Sequence, residues 1–439
     1  MSARSEYAIV GGGPVGLGIA KCFTQAGLRF TLFEAEADFG GTWAISQASG
    51  LVYESTHLIS SKKNTQFLDF PMPADYPHYP NHAQMLSYLR NLAAHYGLYD
   101  RAQFGARVAS VEPNGAGCTV RLSSGESRTF SAVVIANGRM RTPLIPNYPG
   151  HFDGEIVHAA DYRSRDIFRR KRVLVIGGGN SGCDIAVDAS QTAERTFHST
   201  RRGYHYMPKF IHGKPTQEWL MDIGSRFSST DEYWTFVQRE FKAAGYDPVD
   251  YGLPRPDHAI HQAHPILNSL LLYYVGHGDI RPKPDVRLFD GRTVEFADGT
   301  REEIDLILYA TGYEMNFPFL SPEIRPRDGA LELFLSMFHR KVDSLVFVGY
   351  FNAASGLGNL LNVGGALVTD YVMAREKNTD AFRVLRRLVR GPEPDIGRGQ
   401  FLNTPRHRVE TDLWKAIKVI QFFRSVLNPT ATTVTESLR

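Results

Sequence analysis

The chain predicts an α/β fold of two Rossmann-like domains of the three-layer ββα type, the second inserted into the first. Three observations carry that expectation. An apolar strand runs into a glycine turn and then a helical pattern twice, from residues 7–10 and again from 173–176. Each copy is followed by a small meander and an apolar return strand closed by Ala-x-Gly, as Ala136-Asn137-Gly138 and Ala310-Thr311-Gly312. A unit this large in two copies means two homologous domains and not a solenoid.

In order along the chain, the strand 7–10 meets Gly11-Gly12-Gly13-Pro14-Val15-Gly16 and a helix that Gly27 ends. Arg29–Phe33 reads as the next strand, with Glu34 at its end. A meander follows over 107–111, 118–122 and 132–135. The second copy begins with 173–176, Gly177-Gly178-Gly179-Asn180-Ser181-Gly182 and a helix through Ile185 and Val187. Its next strand lies near 196–198, and its meander over 286–289, 293–297 and 305–309. Short apolar runs of this kind suit strands buried on both faces of a parallel sheet. Residues 141–150 read as a crossing linker and 311–318 as the return. Between about 204 and 279 lies a mostly helical insertion rich in His, Tyr and Trp. Leu413–Leu427 carries Trp414, Ile417, Ile420, Phe423 and Leu427 at helical spacing, which favours a helix docked on the body over one lying on a membrane.

Composition narrows the function classes. The 439 residues are 43% hydrophobic and 22% charged, the profile of an ordinary soluble globular protein. Lys and Arg (49) nearly cancel Asp and Glu (46), so no nucleic-acid partner is expected. The longest apolar run is too short to span a bilayer. Few residues precede the first ordered pattern, which argues against a signal peptide. Cys22, Cys118 and Cys183 form no paired spacing. That speaks against a disulfide scaffold, a zinc ribbon or a dithiol centre, and it fits a reducing, cytoplasmic compartment; no metal ligand set is expected.

A lone G-x-G-x-x-G is weak, with roughly 0.3 chance matches expected in a chain this rich in glycine. Here both copies sit between an apolar strand and a helix, where glycines permit a tight turn and the helix N-terminus offers free N–H groups to a pyrophosphate. The cradle residues are Gly11, Gly12, Gly13, Pro14, Val15 and Gly16 in the first copy, and Gly177, Gly179, Asn180, Ser181 and Gly182 in the second. Glu34 stands where a carboxylate can accept from both ribose hydroxyls of an unphosphorylated adenosine. The corresponding place in the second copy is Thr200, flanked by Ser199, Arg201 and Arg202. Guanidinium groups suit a 2′-phosphate that a carboxylate would repel. The first site is therefore expected to hold FAD and the second NADPH.

Phe152, Gly154, His158 and Tyr162 spell F-x-G-x-x-x-H-x-x-x-Y between the two copies. With this motif the chain resembles the flavin-containing monooxygenases, the class B single-component flavoprotein monooxygenases. Gly40-Gly41-Thr42-Trp43, Asp69-Phe70-Pro71-Met72-Pro73 and Ala310-Thr311-Gly312-Tyr313 extend the likeness along nearly the whole chain. The resemblance implies an enzyme of the NADPH-dependent monooxygenase type. NADPH reduces FAD, O2 adds to form a C4a-hydroperoxyflavin, and NADP+ stays bound to shield it. The nitrogen or sulfur of a small organic substrate then takes the distal oxygen. Baeyer–Villiger oxygenation of ketones by the same intermediate is the alternative, and an uncoupled NADPH oxidase a further one. Baeyer–Villiger relatives usually carry Trp followed by Pro or Asp at the end of the linker motif, so Tyr162-Arg163 favours heteroatom oxidation. A disulfide reductase would need the dithiol this chain lacks, and a redox-sensing module would purify colourless.

The resemblance also distributes roles. Gly41, Thr42, Trp43 and Val108 join the FAD site, His158 lies near the nicotinamide cofactor, and Ala310, Thr311 and Gly312 form a hinge. Where the family has an Asn three residues before a Lys, this chain has Ile59 before Lys62. Ser60, Ser61 and Lys62 are then the candidate catalytic residues, with no acid–base constellation expected. The expected domains are 1–160 (FAD, first part), 161–310 (NADPH, with the insertion) and 311–439 (FAD, second part, and the helical tail). Substrate identity is open, and so is a homodimer.

Overall fold

A computed structural model describes residues 5–115, 117–325, 331–353 and 356–429. Of the stretch 311–439 assigned to the end of the FAD domain, residues 326–330, 354–355 and 430–439 lie outside the described residues. The chain divides into two compact units, one made of residues 1–50, 62–141 and 315–439, the other of 51–61 and 142–314.

The first unit is built on a seven-stranded sheet. Its order is Leu333–Phe334, Phe338–His339, Leu345–Phe347, Ala132–Ile135, Glu6–Val10, Arg29–Phe33 and Ala102–Gln103. The five strands from Leu345–Phe347 onward run parallel. Val10 stands level with both Phe33 and Ile135, so the carboxyl ends of three central strands finish together. A three-stranded antiparallel sheet, Val108–Asn114, Gly117–Leu122 and Ser127–Phe130, covers one face. Between these layers Val10, Phe33, Val133 and Ile135 pack on Val120 and Phe130. On the other face, helix Pro14–Gln25 packs closely on helix Leu357–Glu376. A Cβ at Gly18 would come 2.9 Å from Leu361, and one at Gly365 2.8 Å from Cys22. Pro14 opens the first of these helices, where its missing N–H costs nothing. Helix Leu413–Leu427 buries Ile417, Ile420 and Phe423 and leaves Trp414 exposed. It is tied down by Arg424 to Asp370 at 3.0 Å.

The second unit repeats the plan. Its parallel sheet runs Glu155–His158, Leu306–Tyr309, Arg172–Ile176, Arg195–Ser199 and Ile280–Lys283. A four-stranded sheet of Arg301–Glu303, Thr293–Phe296, Val286–Gly291 and Gly150–Phe152 packs against it through Leu174, Ile176, Phe197, Val294 and Phe296. The insertion holds helices Thr216–Gly224, Thr230–Ala243 and Leu271–Gly276 among short strand pairs.

Two differences from the sequence reading have physical causes. Each meander gains a strand, Ser127–Phe130 and Arg301–Glu303, while the apolar return strands join the parallel sheets instead. The added strands are short and mostly polar, with little buried pattern to announce them. Residues 51–61 and 142–160, expected with the first part of the FAD domain, and 311–314, expected with its second part, fall in the second unit. There Glu155–His158 is an edge strand, His158 level with Tyr309. Among the described residues no helix is long and apolar enough to cross a membrane.

Candidate functional site

The two glycine turns are built alike, atom for atom. Gly11 N–H donates to the Phe33 carbonyl at 2.8 Å, and Gly177 N–H to the Ser199 carbonyl at 3.0 Å. Ala136 and Ala310, which follow the return strands, donate to Val10 and Ile176 at 2.9 and 2.8 Å. Gly11 and Gly177 have φ of +108° and +128°, and a Cβ on either would meet the Ala136 or Ala310 carbonyl at 2.6 or 2.4 Å. A Cβ on Gly16 or Gly182 would fall 1.8 Å from the carbonyl of Gly11 or Gly177. These four glycines answer to the protein's own packing.

Gly13 and Gly179 do not. Each is the residue before its helix, with φ of −77° and an extended ψ that any residue adopts. A Cβ on Gly179 would meet nothing within 4 Å, and one on Gly13 only the Gly41 Cα at 3.6 Å. Neither helix start carries a side-chain cap. Open space above an uncapped helix N-terminus fits a pyrophosphate in both places.

In the first unit Glu34 is buried, one carboxylate oxygen accepting from Gly12 N at 2.6 Å and the other from Glu36 N at 2.9 Å. Each oxygen keeps lone-pair capacity for a ribose hydroxyl. Pro14 and Val15 form the first turn of the cradle helix. Gly41, Thr42 and Trp43 form a half-buried turn over the cradle, Gly41 so near that its Cβ would lie 2.9 Å from the Gly13 Cα. Val108 opens the antiparallel sheet.

Lys62 opens the short helix Lys62–Thr65. Its ammonium donates to the carbonyls of Ala74 at 2.8 Å and Tyr76 at 2.5 Å, with Pro73 at 3.4 Å. The ammonium thereby holds the turn after Asp69-Phe70-Pro71. Ser60 and Ser61 are buried, and the Ser61 hydroxyl finds no partner among the described residues. Ile59 is 43% exposed.

In the second unit Thr200 is buried at the place of Glu34, its N–H on the Lys283 carbonyl at 3.0 Å as Glu34's is on that of Gln103. No carboxylate of the adjoining residues 199–202 stands there. Arg201 is exposed and makes no ion pair among the described residues, while Arg202 is paired with Asp257 at 2.6 Å. The Ser199 hydroxyl donates to the Pro284 carbonyl at 2.6 Å, and the Asn180 side-chain oxygen accepts from Leu267 N at 3.0 Å. Both side chains thus brace the site, and Ser181 stays exposed in the first turn of the helix. Beneath the cradle, buried His198 reaches the Gly177 carbonyl at 2.9 Å. A carbonyl only accepts, so Nε2 carries the hydrogen, and burial holds the ring below its ordinary pKa.

The linker residues are all engaged within the second unit. Phe152 sits in the core beside Phe289, and a Cβ on Gly154 would strike the Asp305 carbonyl at 2.6 Å. His158 is buried edge-on to Tyr313, its Nδ1 accepting from Ala160 N at 3.1 Å. Burial lowers its pKa, with Asp161 and the Gly312 carbonyl opposing. Ala310, Thr311 and Gly312 leave the sheet at the cradle rim. There the Thr311 hydroxyl bonds the Leu144 carbonyl and Gly312 accepts from Leu144 N at 3.0 Å.

A carboxylate pair on the second cradle helix escaped the sequence reading. Asp188 accepts from the Tyr162 hydroxyl at 2.8 Å and from Ser55 at 2.5 Å. Asp184, one turn earlier, accepts from Asn268 at 2.6 Å and Tyr53 at 3.3 Å. The linker tyrosine and the 51–61 segment are thereby fastened to the helix that starts at the cradle. Burial pushes Asp184 up from 3.8 to about 6, with Lys209 and the two hydrogen bonds opposing. Between those two pH values the native state holds more protons than the unfolded chain, so this group's contribution falls as pH rises from about 4 to about 6. Asp184→Asn should flatten that fall by at most about 3 kcal/mol. Urea melts at pH 4.5 and 7 check it, and an unchanged pH profile would show Asp184 ionised throughout.

A family model described as flavin-binding monooxygenase-like matches residues 4–368. Flavin-containing monooxygenase 1 of Sus scrofa is 33% identical over 388 residues, 82% of this chain and 71% of that protein. Among solved structures, a flavin-containing monooxygenase from Stenotrophomonas maltophilia superposes with a TM-score of 0.65 at 23% identity, covering 84% of this chain and 99% of that one. Cyclohexanone monooxygenase bound to epsilon-caprolactone superposes with 0.70 at 16% identity, covering 99% and 98%.

Proposed function

The chain belongs to the flavin-binding monooxygenase-like family, whose members use FAD and NADPH, and on that premise we propose that it oxygenates the nitrogen or sulfur of a small organic molecule with NADPH and O2. The observation that carries the reading is the pair of open cradles, one answered by a buried Glu34 and the other by Thr200, Arg201 and Arg202. An acid at one cradle and cations at the other support a different dinucleotide for each unit.

When bound, the flavin carries the electrons of NADPH to O2 and delivers one oxygen atom to the substrate, the other leaving as water. The protein's share is binding and orientation. The first cradle would hold the FAD pyrophosphate at the N-terminus of helix Pro14–Gln25, and Glu34 would accept from the ribose hydroxyls. Arg201 supplies a guanidinium for the 2′-phosphate of NADPH. Burial holds His158 below its ordinary pKa, which favours the uncharged ring in the linker motif. Ser61 offers a buried hydroxyl, without a partner among the described residues, in the segment where the family resemblance leads one to expect an amide. A soft nucleophile needs no deprotonation before it takes oxygen, which suits a chain whose candidate residues include no nucleophile–base pair.

Incubation of the holoenzyme with NADPH, 18O2 and a panel of thioethers, tertiary amines and cyclic ketones tests the reading. The expected products are S- and N-oxides bearing one 18O atom. Lactones alone from the ketones would transfer the chain to Baeyer–Villiger oxygenation, and hydrogen peroxide with no oxygenated product would refute oxygen transfer.

A further inference from the structure

We propose that Asp257 sets the strength of NADPH selection: its carboxylate shares Arg202 with the 2′-phosphate and thereby restrains the binding of that phosphate. The proposal rests on the reading of Arg201 and Arg202 as ligands of the 2′-phosphate.

Arg202 Nη2 lies 2.6 Å from Asp257 Oδ1, with the arginine side chain 26% exposed and the aspartate 58%. Nε of Arg202 is buried and has no partner among the described residues, so the contact of Nη2 with Asp257 is the ion pair that holds the guanidinium. Asp257 is not a casual surface partner. The ring of His258 reaches it through Nδ1 at 2.9 Å, and that ring is 4% exposed. His258 in turn meets His205 edge-to-face at 5.2 Å, and His205 Nε2 donates to the His258 carbonyl at 2.8 Å. The backbone before Asp257 is seated on the residue after the arginine pair. A Cβ on Gly203 would fall 2.3 Å from the Arg255 carbonyl oxygen and 2.4 Å from its carbon, so only glycine admits the approach. Arg202 and His258 together hold the Asp257 carboxyl down to about 2, leaving it ionised across the physiological range.

The consequence is electrostatic. Of two adjacent guanidinium groups, Arg201 makes no ion pair among the described residues and Arg202 is neutralised at its rim by the Asp257 carboxylate. A 2′-phosphate arriving there gains from Arg201, then competes with Asp257 for Arg202 and is repelled by it. A phosphate dianion and a carboxylate several ångströms apart near the surface repel by an amount that salt screens. Asp257 therefore weakens NADPH, and NADP+ equally, leaving nucleotides without the phosphate untouched.

The test is calorimetric titration of the FAD-loaded enzyme with 2′,5′-ADP and with 5′-AMP at low and high salt. Asp257→Asn keeps the shape and an acceptor for Arg202 and removes the charge. It should bind 2′,5′-ADP about 3- to 10-fold more tightly at low salt, with the gain shrinking as salt rises. Binding of 5′-AMP should stay within about twofold, since no phosphate faces the carboxylate. Asp257→Glu should keep the wild-type value, and the melting temperature of each variant reports on folding. Unchanged or weaker binding of 2′,5′-ADP by a folded Asp257→Asn enzyme, alongside a wild type that still prefers 2′,5′-ADP, overturns the role of Asp257 alone. A wild type that binds the two nucleotides equally overturns the assignment of the arginine pair itself.

Discussion

Gly179→Val should leave a folded, yellow protein that no longer binds NADPH. Gly179 has an extended backbone that valine adopts without strain, and nothing of the protein lies within 4 Å of the position its Cβ would take. The substitution therefore costs the fold little. The added methyls instead fill the space above the N-terminus of helix Asn180–Ser190, where a pyrophosphate has to approach the backbone. NADPH affinity should drop by more than about 100-fold, close to 3 kcal/mol. FAD content and melting temperature should match wild type. Fluorescence titration with NADPH and the flavin-to-protein absorbance ratio give both readings. Retained NADPH affinity would mean that the second cradle is an empty turn.

Arg201→Ala should separate the two nicotinamide cofactors. A charge-assisted hydrogen bond to phosphate contributes about 1.5–3 kcal/mol. Its loss should raise KM for NADPH roughly 10- to 100-fold. NADH lacks the phosphate, so its KM should move by less than about threefold. Steady-state rates with each cofactor decide it. Equal changes for both would place the 2′-phosphate away from Arg201, and Thr200 at the place of Glu34 would then be a packing residue.

Both predictions begin from features legible in the chain. The central strands of each sheet are continuous apolar runs, and the glycine turns lie between them and a helix, so the repeated plan could be read locally. The contrast between Glu34 and Thr200 was equally local, one residue after a strand in each copy. What was not legible depends on distant parts of the chain. Ser55 and Asp188 are 133 residues apart in sequence, and Arg202 and Asp257 are 55 apart, so no spacing rule joins them. The partners of Lys62 were equally out of view, since its ammonium donates to carbonyls brought round by the 73–76 turn. Ser127–Phe130 and Arg301–Glu303 gave no signal because polar edge strands bury too few side chains to leave a period-two pattern. Residues 141–150 read as a linker through their Pro and Gly content, and 151–160 read as part of the first domain. Only the pairing of Glu155–His158 with Leu306–Tyr309 shows that they complete the second sheet.

The central claim is that electrons pass from NADPH to a flavin and that one oxygen atom passes from O2 to an organic nitrogen or sulfur. Its most direct test is a single turnover. The FAD-loaded enzyme is bleached with one equivalent of NADPH under anaerobic conditions and then mixed with O2 and a thioether. NADP+, sulfoxide and hydrogen peroxide are counted afterwards. The account predicts close to one sulfoxide per NADPH and little peroxide. One peroxide per NADPH with no sulfoxide would contradict it.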